Sequence, residues 1–104
     1  MTQKEAKVLA LEVHQYLVEH PEITDKKYLP SNLWDKIKNL HNICPLCEAC
    51  FAERNEEMEC PECPLKGYGE NGYCRSWSRI KTIKERKKYA QLVVGKVSVW
   101  EPKD

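Results

Sequence analysis

Three cysteines, Cys44, Cys47 and Cys50, fall within CPLCEAC; Cys60 and Cys63 follow in CPEC, and Cys74 stands alone further on. Two CxxC doublets with twelve residues between them suit a tetrahedral Zn²⁺ held by two turns of chain. Two intervening residues let both thiolates of a doublet point inward from one tight turn, and the metal then ties turns that the local sequence cannot hold together. A structural zinc site supplies on the order of 10 kcal/mol of folding free energy, comparable with the whole stability of a small domain. The expected ligands are Cys44, Cys47, Cys60 and Cys63, with Cys74 and Cys50 as substitutes. His41, three residues before Cys44, is a further candidate ligand.

Other uses of the sulfurs are weighed against the same spacing. Cys44, Cys47 and Cys50 followed by Cys60-Pro61 also match part of a ferredoxin series, CxxCxxC with a later CP, so an iron–sulfur redox protein is an alternative. That series has about three residues before its fourth cysteine; this chain has nine, mostly charged, and their acidity opposes added negative charge on reduction. Glu48 and Pro64 follow the two doublets, and Pro64 has no N–H to donate to a thiolate, which argues against a rubredoxin-like ribbon. Disulfides are the reading for a secreted chain. MTQKEAKVLALEVHQYL lacks the uninterrupted apolar core of a signal peptide or membrane span, so a cytoplasmic location is expected, with no membrane partner.

No catalytic residues are expected and the chain is read as non-enzymatic. A zinc enzyme keeps an open coordination position beside a general base, and no HxE or HExxH pattern supplies one. The glycines of KGYGENGYC do not sit between a strand and a helix, so they read as a turn and not as a phosphate loop. His14, His20 and His41, all in or beside the first two helices, read as surface or packing residues.

Charge is uneven along the chain although the formal total is only +1. Residues 48–62 carry Glu48, Glu53, Glu56, Glu57, Glu59 and Glu62 against Arg54. Residues 75–88 carry Arg75, Arg79, Lys81, Lys84, Arg86, Lys87 and Lys88 against Glu85, with Trp77 between two arginines. Cations with an interleaved aromatic can hold phosphates and stack a base, so this set is the candidate nucleic-acid site. The plainer reading, a solvated helix face with Trp77 packed inside, is preferred.

The elements that must position these residues follow from capping and periodicity. At 104 residues the chain should form one domain with one modest core. Thr2 with Glu5 reads as a capping box opening a helix whose Leu9, Val13, Tyr16 and Leu17 share a face, until Pro21 stops it. Ser31 reads as the cap of a second helix with Leu33, Trp34, Ile37 and Leu40 at helical spacing, making residues 1–42 a helical hairpin. Residues 43–75 hold every cysteine, Pro45, Pro61, Pro64, Gly67, Gly69 and the Asn71-Gly72 turn signal, too many breakers for long regular elements. Thr82 with Glu85 opens a last, basic helix in residues 76–104, with Ile83, Ala90, Val93 and Val97 near one face; Gly95 and VSVW weaken its end. The expected fold is mainly α: a small single domain of about three helices around an irregular, turn-rich metal-binding middle segment.

The order of LALEVHQYLVEHPEI, CPLCEA, CPECPL, Cys74 and KERKKYAQLVV resembles small cysteine-rich proteins of phages and mobile elements. The resemblance implies Cys44, Cys47, Cys60, Cys63 and Cys74 as the family's cysteine pattern, with Cys50 outside it. It implies no enzymatic activity, and a phage setting favours a protein that binds a host component, including a defence system. The leading expectation is thus a zinc-stabilised interaction protein with a host protein as partner. A nucleic-acid binder using the basic segment is the runner-up.

Overall fold

The structure, a computed structural model, describes residues 2–40, 45 and 77–102. Among the described residues the chain is mainly helical, with three α-helices and no strand: α1 (Gln3–Glu19), α2 (Ser31–Ile37) and α3 (Ile83–Ser98). Single 3₁₀ turns at Lys26–Tyr28 and Trp77–Arg79 precede α2 and α3. Pro45 is fully buried. The rest of the cysteine segment, with all six sulfurs, His41, Arg75, the acidic stretch and the Asn71-Gly72 signal, lies outside the described residues.

α1 opens with the capping box its sequence encodes. The Glu5 N–H donates to Thr2 Oγ1 at 3.1 Å and the Thr2 N–H donates to Glu5 Oε1 at 2.9 Å, so two otherwise orphaned donors are satisfied reciprocally. The helix closes at His20, whose N–H donates to the carbonyls of Tyr16 and Leu17, and Pro21 cannot extend the ladder. Ala6, Leu9, Ala10, Val13 and Leu17 are buried at the three- and four-residue spacing of one helix face. Removing each of the larger side chains from water contributes about 1.5–3 kcal/mol.

The extensive partner of α1 is α3, running antiparallel to it. The direction is fixed at both ends: Lys7 Nζ donates to the Trp100 carbonyl at 2.7 Å, and Arg86 Nε donates to the Pro21 carbonyl at 2.6 Å. α2 joins through side chains. Leu29, Leu33 and Ile37 enter one apolar cluster with Leu9, Val13, Leu17, Trp77, Ile80 and Ala90, and Tyr16, Trp34, Leu40 and Tyr89 flank it.

Two local expectations are corrected. Ser31 does not cap α2; Pro30 occupies the cap position, its carbonyl accepting from Leu33 and Trp34 N–H at 2.9 Å, and Ser31 is the first helical residue. The fixed ring geometry of proline suits that extended cap backbone, so the hydroxyl is not required. Ile83 is 54% exposed although it is nearly in phase with Ala90; it is the first residue of α3, at the edge and ahead of the buried stripe Arg86, Ala90, Val93 and Val97. α3 passes through Gly95 to Ser98. Buried Val93 and Val97 on either side outweigh the ~1 kcal/mol cost of a helical glycine.

Candidate interaction surface on the last helix

The two faces of α3 divide the basic segment. Thr82 caps the helix, accepting from the Glu85 N–H at 3.1 Å, and its hydroxyl donates to Glu85 Oε1 at 3.2 Å. From that start, a 3.6-residue period sends Arg86, Ala90, Val93 and Val97 toward α1, and leaves Lys84, Lys87, Lys88 and Gln91 in solvent.

Trp77 and Arg86 are interior groups. Trp77 is 3% exposed, lies in the core cluster, and donates its indole N–H to the Ile23 carbonyl at 2.8 Å. Its ring faces are therefore packed and unavailable to stack a base. Arg86 is 6% exposed and donates to two backbone carbonyls, from Nε to Pro21 at 2.6 Å and from Nη1 to Ile80 at 3.0 Å. It ties the chain leaving α1 to the turn that enters α3. A buried guanidinium is tolerated only where its donors are met, and this fork meets them with carbonyls that helix and turn ends leave unpaired. Both residues are withdrawn from the candidate nucleic-acid set by burial.

Arg79, Lys81, Lys84, Lys87 and Lys88 remain, all exposed. Among the described residues none of these five forms an ion pair, whereas Lys36 pairs with Glu12 at 3.3 Å and Lys38 with Asp35 at 3.2 Å elsewhere on the surface. Among the described residues these five cations form a basic surface, with Glu85 as the carboxylate in their midst.

The signal for the interior role of Arg86 was present in the sequence. It stands four residues before Ala90 and seven before Val93, the register of the buried stripe. His14 is likewise interior, one turn from Ala10, with Nδ1 2.9 Å from the Ala10 carbonyl. That bond assigns the proton to Nδ1. Burial pushes its pKa down to about 3, the charge of Lys26 adds to the shift, and the Ala10 hydrogen bond opposes it. His14 is a neutral packing group. Among the described residues no three His, Cys, Asp or Glu side chains gather as a metal site, and no helix is long and apolar enough to cross a membrane. The Cys44, Cys47, Cys60 and Cys63 doublets, with Cys50 and Cys74, fall outside the described residues.

The fold and surface thus define a mainly helical protein with a lysine-rich outer helix face. No protein-family model, curated protein or solved structure matches the chain.

Proposed function

We propose that this protein is a non-enzymatic binding module of the cytoplasm, with its cysteine segment ordered by one Zn²⁺ and a host protein as its partner. The observation that carries the zinc half is the doublet spacing: four soft thiolates from Cys44, Cys47, Cys60 and Cys63 match the metal's preferred donors and number. Deprotonated thiolates would hold the ion, and the metal's role is to fix chain turns, with every coordination position taken by protein. The burial of Trp77 and Arg86 supports a protein partner over nucleic acid, because the segment's aromatic platform and one of its guanidinium forks serve the core. The exposed lysines favour nucleic acid as the second reading.

Elemental analysis of purified protein is expected to give close to one zinc per chain. Cys47→Ser or Cys60→Ser removes metal and fold together, while Cys50→Ser leaves metal content unchanged. Iron with acid-labile sulfide, or a well-folded protein without metal, overturns the zinc reading; loss of zinc in Cys50→Ser places that sulfur in the site. Affinity capture from the natural host, with and without nuclease treatment, tests the partner. A protein complex indifferent to nuclease is the expected result, and a complex that nuclease dissolves replaces it with the nucleic-acid reading.

A further inference from the structure

The exposed face of α3 spends helix stability on like charge. Lys84 has Lys87 and Lys88 as its three- and four-residue neighbours, and like charges at that spacing destabilise a helix. Arg79 and Lys81 lead into the same face, and none of the five cations forms an ion pair among the described residues. Ile83 is the second feature. It is 54% exposed and one helical turn before Lys87, an apolar side chain at the edge of the lysine face.

We propose that this face of α3 docks an acidic protein segment carrying an apolar side chain that covers Ile83; the inference rests on the reading of the molecule as a binder of another protein. Carboxylates repeated along a peptide complement lysines repeated along a helix, and an exposed isoleucine at the edge of the lysine face gives such a partner a contact that a phosphate backbone has no group to use. The groups best suited to nucleic acid are elsewhere. Trp77 cannot stack on a base while its ring is packed, and the Arg86 guanidinium has two of its donors on the Pro21 and Ile80 carbonyls.

The test titrates the full-length protein with a fluorescein-labelled peptide repeating Glu-Glu-Leu. A polyglutamate of equal length and a random-sequence oligonucleotide, single-stranded and duplex, are measured beside it at low and physiological salt. The Glu-Glu-Leu peptide is expected to bind most tightly at physiological salt. Combining Lys84→Glu, Lys87→Glu and Lys88→Glu should weaken it by about tenfold or more while circular dichroism shows unchanged helicity. Ile83→Ser should weaken it by about threefold and narrow its advantage over polyglutamate. Peptide binding that survives the triple reversal, absence of peptide binding to the parent protein, or tighter binding of an oligonucleotide overturns the proposal. The two readings fail separately: a zinc-loaded triple variant that still captures a nuclease-resistant host complex keeps the broader reading and loses this docking face, whereas a captured complex that nuclease dissolves loses the broader reading itself.

Discussion

Arg86 and Lys87 are adjacent cations on one helix with opposite fates. Arg86 faces α1 and spends its donors on the Pro21 and Ile80 carbonyls, whereas Lys87 faces water and forms no ion pair among the described residues. A rotation of about 100° per residue separates them. The difference teaches that a run of basic residues is not one unit: helical phase assigns some members to architecture and leaves others in solvent. The same division holds across the molecule, with His14 and Trp77 on the inner side and Lys84 and Lys88 on the outer.

If the inner polar groups are architectural, breaking them should cost stability in proportion to what they satisfy. Arg86→Ala should have the largest effect, about 3 kcal/mol in urea unfolding, because two carbonyls lose a charged donor and a cavity opens beside α1. A cost below about 1 kcal/mol would break the contrast between Arg86 and Lys87.

His14 should give the next effect, read as a pH dependence. The folded protein keeps it neutral, with a pKa of about 3 against an ordinary 6.5, so the unfolded chain takes up the proton first as pH falls. Stability is therefore lost from about pH 6.5 downward, at ~1.4 kcal/mol per unit, and the loss ends only near the folded pKa. Between pH 6.5 and 5 this amounts to about 2 kcal/mol. His14→Gln should abolish that component, so urea midpoints of parent and variant should converge as pH drops; parallel curves would remove His14 from the inner set.

Trp77→Phe should cost about 1 kcal/mol, since the ring's bulk is largely kept and only the donor to the Ile23 carbonyl is lost. A neutral result on stability would mean that water replaces the indole there. The smallest effect has the opposite sign. Lys84→Glu puts an anion in the first turn of α3 and four residues before Lys88, which should stabilise the fold by about 0.5 kcal/mol in thermal melts. Destabilisation instead would show that the outer face is structural after all.

The legible parts of this fold were those governed by chemistry within one turn of chain. The Thr2–Glu5 capping box, the stop at Pro21 and the Thr82 cap each involve groups a few residues apart, and the structure forms them. Ser31 misled because Pro30 supplies a suitable cap backbone without a hydroxyl, and Ile83 misled because it is the first residue of α3, at the edge and ahead of the buried stripe.

By itself, the sequence determined the helical frame, the Thr2 and Thr82 caps, the exposure of Lys84, Lys87 and Lys88, and the cysteine spacing on which the zinc proposal rests. Those follow from periodicity and from donors close along the chain. Tertiary structure decided that α3 is the long antiparallel partner of α1, that Trp77 reaches back to Ile23, and that Arg86 joins Pro21 to Ile80. Trp77 and Arg86 meet partners 54 and 65 residues away, and no local pattern encodes which unsatisfied carbonyl a distant donor will find. That choice is made when the apolar faces close, because burial then makes every unpaired donor and acceptor costly.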